Sequence, residues 1–325
     1  MSEISVTNTN PTLEHNLKGH KKQVLDLTFH PDNKQIASCG TDNSIMLWNV
    51  GSKNIRCYDF KGHTDVVTCV NFSSDGQFFA SSSQDCTVRL WVPRIKGSST
   101  CFKAHSTAVR TVCFSPSNEQ LLTGSNDKSI KLWNVQHNRF LSSLVGHTNW
   151  IRCAKYSPDG QIIVSCSDDK AMKIWDASSS QCIHTFTYRK GSGTYLDFHE
   201  NGNSVALATN NGGIRIYDIR NNKLQQHYML HNHTTSVSWH PFANYFISSG
   251  MDGTLIIVDA LEGRPLYTLQ GHDGAINTVK FSKNGDQFAS GGKDAHVMVW
   301  STNFITENST SASSSTSSEN TTKAL

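Results

Sequence analysis

A tryptophan preceded six residues earlier by an aspartate recurs through this chain: Asp42 and Trp48, Asp85 and Trp91, Asp127 and Trp133, Asp169 and Trp175, Asp294 and Trp300. The first four tryptophans stand 43, 42 and 42 residues apart. The 125-residue gap between Trp175 and Trp300 divides into three further periods, at Tyr217 and Val258. Seven copies of a unit of about 42 residues therefore fill positions 19 to 301. A length of 325 residues would suffice for two ordinary domains. A unit that repeats without interruption instead stacks on its own neighbours and makes one body.

The first unit shows what each copy folds into. His20 opens a Gly-His turn, and VLDLTFHP (24–31) alternates apolar residues toward Phe29, as a half-buried strand does. A Pro-Asp-Asn turn leads to a short apolar strand, QIASCG (35–40). After the tight turn Thr41-Asp42-Asn43 come SIMLWNV (44–50) and a more polar fourth strand, IRCYDF (55–60). Four short strands per period predict a propeller blade, and seven periods predict an all-β, seven-bladed β-propeller. The blades fall at approximately 19–60, 62–103, 104–145, 146–187, 188–228, 230–270 and 271–301.

A fixed frame of polar residues runs through the blades. A first-strand aromatic lies nine residues after a histidine at Phe29, Phe72, Phe114, Tyr156 and Phe281. A hydroxyl residue stands four before the turn aspartate at Ser38, Ser81, Thr123, Ser165, Ser248 and Ser290. Five blades carry a complete set: His20, Ser38, Asp42, Trp48; His63, Ser81, Asp85, Trp91; His105, Thr123, Asp127, Trp133; His147, Ser165, Asp169, Trp175; and His272, Ser290, Asp294, Trp300. These positions resemble the structural tetrad of the WD40 family. The resemblance implies that the aspartate accepts a hydrogen bond from the histidine, which links through the hydroxyl to the indole N–H. It also implies closure: TLEHNLK (12–18) is expected to complete the last blade, which by itself has only three strands, and so to remove an exposed edge. Blade five departs from the frame with Arg189, Leu207, Asn211 and Tyr217 at the four positions. Blade six keeps Ser248 and Asp252, with His231 one residue nearer its strand and Val258 in place of tryptophan. Both are expected to be looser than the rest.

Several function classes find no support. Net charge is +3 and charged residues are 17%, too mild for nucleic acid or a membrane surface as the main partner. No run of 18 apolar residues exists, and the first residues lack the apolar core of a signal peptide. The nine cysteines show no paired zinc-like spacing and read as small buried hydrophobes. His, Ser and Asp are the residue types of a hydrolase triad, but a catalytic set is needed once and this one recurs five times, each bonded onward to an indole. No phosphate loop or metalloprotease motif is present, and the histidines outside the tetrads are scattered. No catalytic residue, metal, cofactor or small-molecule substrate is expected. Residues 1–11 are expected to form an unordered leader, and 302–325, rich in Ser, Thr and Asn, an unordered tail.

What remains is a stiff disc that binds other proteins through its loops. First-strand residues six and four before the aromatic are expected around one channel mouth; among them are Trp150, Arg152 and Arg110. Residues just before the turn aspartates, including Gln84, Asn126 and Asp168, should join them. Five of the seven tryptophans belong to tetrads and Trp239 is a strand aromatic, so Trp150 has no task in the repeat. It either packs on a neighbouring loop or contacts a partner. An aromatic beside arginines suits the second.

Several stretches resemble one group within the family, the centriole and basal-body proteins called protein of centriole one. They are VRLWVPRIKGSST (88–100), GHTNWIRCAKYSPDG (146–160), LQQHYMLH (224–231), LEGRPLYTLQGH (261–272) and FASGGKDAHVMVWSTNF (288–304). The resemblance spans roughly 13–304. It implies a cytoplasmic, cytoskeletal scaffold that joins centrioles and basal bodies, supports cilium formation and binds centriolar or microtubule-associated proteins. That group carries a linker and coiled coil after the propeller, whereas the residues after 304 here show no heptads. The competing expectation is a recognition or assembly subunit of a ubiquitin ligase, chromatin or RNA-processing complex.

Overall fold

The structure, a computed structural model, describes residues 10–52, 54–94 and 98–304. It holds seven four-stranded antiparallel sheets arranged as a ring of blades. Blade one is Val24–Phe29, Gln35–Gly40, Ser44–Asn49 and Arg56–Lys61, in that order from the centre outward. The inner three strands are almost wholly buried and the fourth is mostly exposed, which is why the fourth reads as more polar. Seven apolar clusters, one between each pair of neighbouring blades, make up the core. No blade buries its own faces, so the ring is stable only as a closed set.

Closure is made by the strand Thr12–Lys18, which pairs antiparallel with His296–Ser301 to give the last blade its fourth strand. Leu17 enters the cluster between the last and first blades beside Val24, Trp48 and Val297. The expected leader and tail lie mostly outside the described residues. The edge of the ring, however, sits three residues beyond the boundary expected at 301/302. Thr302 is buried and its hydroxyl donates to the Gly285 and Asp286 carbonyls. Phe304 packs on His240 and Tyr245. A backbone hydrogen bond and two aromatic contacts offset the ordering entropy that the polar composition of this stretch suggested it could not overcome.

Two local devices recur in every blade. The residue after each turn aspartate (asparagine in blade five) has φ between 62° and 84°: Asn43, Cys86, Lys128, Lys170, Gly212, Gly253 and Ala295. Four of the seven are neither Gly nor Asn. The strained turn is held where an aspartate oxygen accepts the N–H two residues on, as from Ser44 to Asp42 and from Ala171 to Asp169. Second, the inner strand shifts register near its start, for example between Ile151 and Cys153. That bulge turns the residue between them, Arg152, out of the ladder and toward the channel.

Candidate functional site

In each of the five complete blades the tetrad closes. In blade four Asp169 Oδ2 is 2.7 Å from His147 Nδ1, His147 Nε2 is 2.8 Å from Ser165 Oγ, and the Trp175 indole donates to the same oxygen at 2.8 Å. Blade six forms a three-membered version, His231 bridging Asp252 and Ser248. Blade five has none. Burial opposes ionisation of Asp169, but the His147 hydrogen bond and charge and two backbone N–H groups outweigh it and lower its pKa. Burial likewise pushes His63, His231 and His272 down despite their carboxylate partners. The hydroxyls of Ser38, Ser81, Thr123, Ser165 and Ser290 are wholly inside. Each is committed to an imidazole and an indole, so none can reach a substrate. These sets are struts.

The channel is lined differently. All seven residues four before the strand aromatic line one cavity of about 260 Å3: Leu25, Thr68, Arg110, Arg152, Thr194, Thr235 and Asn277. Of the residues six before it, only His233 does. The second set, also expected around the mouth, lies one step outside the cavity lining, because these residues precede the bulge. Their carbonyls accept from the residue ahead of the turn aspartate in every blade, as Val66 from Gln84, Ala108 from Asn126 and Trp150 from Asp168. Those pairs form a rim around the mouth.

Four of the seven lining residues stitch the ring. Thr68, Thr194, Thr235 and Asn277 donate to a carbonyl at the start of the next blade's inner strand, at 2.6, 2.9, 2.6 and 2.6 Å. Blades three and four place arginine there and give up the stitch. Arg110 Nε instead donates to Asn126 Oδ1 at 3.0 Å. Arg152 makes a two-oxygen pair with Asp168, Nε at 2.9 Å and Nη2 at 2.5 Å. Its guanidinium also lies 5.6 Å from the Trp150 ring centre. Trp150 is 44% exposed. The structure thus gathers Trp150, Arg152 and Asp168 into one cluster and Arg110 and Asn126 into a second beside it. The two arginines face the same cavity, and burial followed by Arg152 lowers the Arg110 pKa. Gln84 belongs to the rim through its backbone only.

A deeper set went unread. Lys155, Asp197 and Lys280 each stand one before a strand aromatic and line a second cavity of about 230 Å3 with Tyr195. The signal was available as charged residues at a period-defined inner position. Among the described residues no cluster of His, Cys, Asp or Glu has the makings of a metal site, and no helix is long and apolar enough to cross a membrane.

Comparison with known proteins gives two kinds of match. The family model described as "WD domain, G-beta repeat" matches residues 11–49, 54–92, 97–134, 138–176, 222–259 and 263–301, more than half of the chain. The unmatched stretch holds most of blade five, where the tetrad is missing. Individual relatives match in shorter pieces. "Cell division cycle 20.1, cofactor of APC complex" of Arabidopsis thaliana is 30% identical over 135 residues, 41% of this chain and 29% of that protein. "Denticleless protein homolog" of Danio rerio is 26% identical over 113 residues, 34% of this chain and 18% of that protein. "POC1 centriolar protein homolog A" of Danio rerio is 52% identical over 40 residues, 12% of this chain and 10% of that protein. The chain spans less than a third of the length of these relatives.

Proposed function

This chain belongs to the WD40 family, and from that premise we propose that it is a scaffold of centrioles and basal bodies that holds its partner at the channel mouth. A WD40 propeller is a protein-interaction scaffold, and no catalytic family is indicated. The observation that carries the finer reading is the replacement of two ring stitches by Arg110 and Arg152 in consecutive blades, next to the exposed Trp150. An inner-strand residue that bonds the next blade is committed to the ring; apart from the apolar Leu25 of blade one, only Arg110 and Arg152 leave that role, and they stand in adjacent blades. An indole flanked by a guanidinium, itself aligned by Asp168, is a preorganised anchor for a protein segment. The centriolar assignment is supported by the resemblance of five stretches and by the 52% identity to a centriolar relative.

The second reading, a recognition subunit of another complex, is favoured by the longer matches to a cofactor of the APC complex and to Denticleless. Expressing the tagged chain in ciliated cells separates the two. Puncta at basal bodies that disappear in a folded Trp150→Ala/Arg152→Ala variant support the first reading. A diffuse or nuclear signal, or puncta indifferent to the double substitution, refutes it.

A further inference from the structure

The middle of the channel holds a charge set that neither the tetrads nor the rim uses. Tyr195 lines both cavities and lies between them. On one side are Arg110 and Arg152; on the other are Lys155 and Lys280. Lys155 Nζ is 2.5 Å from Asp197 Oδ1, and Asp197 Oδ2 accepts the Trp239 backbone N–H at 3.0 Å. Both oxygens of that carboxylate are therefore occupied. Lys280 Nζ sits 4.2 Å from the Tyr195 ring centre and Lys155 Nζ 4.9 Å from it. Lys280 Nζ is itself buried and makes no hydrogen bond. The Asp197 and Asp26 carboxylates act on it through space but accept no hydrogen bond from it. A buried ammonium with unused N–H groups is disfavoured, and a ring face offsets only part of that. The remaining charged groups at this cavity are Glu200 and Lys283, with His240 also in its wall. Asp26 lies on the far side of Tyr195, held by the Val70 N–H and the Thr278 hydroxyl. Three ammonium groups thus stand against Asp197 and Glu200 at the cavity and Asp26 beyond the ring, and Lys280 donates to none of them. The Ser238 hydroxyl oxygen accepts from the Phe281 N–H, which leaves its own hydrogen to donate.

We propose that the waist of the channel is a binding site for one small oxyanion of the phosphate class, held by Lys280 Nζ with Lys155 and the Ser238 hydroxyl. At about 230 Å3 the cavity is smaller than the roughly 300–1,000 Å3 that organic ligands occupy. It suits a hydrated ion better than a chain segment. Bound there, the ion supplies Lys280 with the hydrogen-bond acceptor it lacks and ties blades four, six and seven together across the channel. Burial, followed by the charge of Lys155, lowers the Lys280 pKa against the opposing pull of Asp197 and Asp26.

The test is thermal unfolding of the intact chain in sodium phosphate or sodium chloride at matched ionic strength. Phosphate stabilises proteins non-specifically by exclusion from their surface, so the readout is the difference between variants. The wild type and the outer-strand control Lys61→Met are expected to show a saturable rise in Tm. Lys280→Met should keep only the shallow, non-saturating part, with apparent affinity at least tenfold weaker. Equal, parallel responses in all three proteins would overturn the proposal. A second readout needs no variant: the titration of the Lys280 Nζ resonance by NMR. Phosphate is expected to raise its proton affinity at least tenfold, and an unmoved midpoint at saturating phosphate refutes the site.

Discussion

Removing one hydroxyl should cost different amounts in different blades, and the difference can be worked out from the geometry. Ser165 Oγ is fully buried, accepts the Trp175 indole N–H at 2.8 Å and reaches His147 Nε2 at 2.8 Å. Ser165→Ala leaves both nitrogens without a partner, and the imidazole cannot turn away because Asp169 holds its other side at 2.7 Å. Each buried orphan costs about 1–3 kcal/mol, so the substitution should destabilise by about 2–6 kcal/mol. Ser248 in blade six is equally buried but faces Val258 where the indole would be. Its hydroxyl serves His231 Nε2 at 2.9 Å, and its contact with the Ile256 carbonyl is long at 3.3 Å. Ser248→Ala therefore orphans one group and should destabilise by about 1–3 kcal/mol. Urea unfolding followed by circular dichroism measures both. On a Trp175→Phe background, which removes the indole donor, Ser165→Ala should cost about 1–3 kcal/mol less than in the wild type. Equal costs for the two serines, or strict additivity in the cycle, would refute the account of the tetrads as networks whose worth lies in satisfying every member.

Other outcomes follow from the same structure. Deleting residues 1–18 removes the strand paired with His296–Ser301 and takes Leu17 from its cluster, so the whole ring should melt at lower temperature; a truncated chain that melts like the full one sinks the closure argument. Amide exchange should be fastest in blades five and six: among the described residues, eight of the twelve buried side-chain polar atoms without a partner lie between Tyr188 and Trp239. Burial pushes His240 down to about 4 even though it bonds the Gly285 carbonyl. The stability it holds is complete above the unfolded value of about 6.5 and should be lost as pH falls toward 4, about 3 kcal/mol in all; urea midpoints of wild type and His240→Gln that fall in parallel between pH 7 and pH 4 contradict this. Restoring the stitch with Arg110→Thr should raise stability by about 1 kcal/mol, and Arg152→Thr by less because it also breaks the Asp168 pair; both should abolish partner capture, and unchanged capture in a pull-down argues against the mouth as the binding site.

The architecture was legible because it is periodic. Blade count, strand order and the tetrad positions follow from residues that must recur wherever the same packing problem recurs; the closing strand was implied by the family resemblance. The inter-blade stitches were not legible, although their residues were in view. Thr68, Thr194, Thr235 and Asn277 are ordinary strand residues, and nothing in one strand tells which carbonyl of the next blade lies 2.6 to 2.9 Å away. That the two sets part, one lining the cavity and the other forming the rim, was not legible for a related reason. Alternation along a strand puts residues six and four before the aromatic on the same side, but a bulge between them breaks the alternation. Phe304 was assigned to the tail because composition measures what a segment can bury by itself, not what its neighbours offer it.

In a repeat, a residue that obeys the period is explained by the fold, and function concentrates where the period is broken without loss of the fold. The chain breaks its period in two ways, and they have different consequences. Blade five loses its tetrad and gains no exposed replacement: Tyr188 and Tyr217 are buried, and Arg215 stacks on Tyr188 inside the ring. That break weakens a blade without creating a surface. Blades three and four keep their tetrads and lose only the stitch, and the side chains released there face the open channel beside an exposed indole. The tetrads hold these two blades rigid while the arginines, aligned by Asn126 and Asp168, face the channel. A binding surface needs both conditions, a stiff support and a side chain held in place yet open to the channel. Within the described residues, arginine stands at the stitching position only in this sector. The partner is therefore best sought with the Trp150–Arg152–Arg110 sector intact, and the weak blade is the wrong place to look for it.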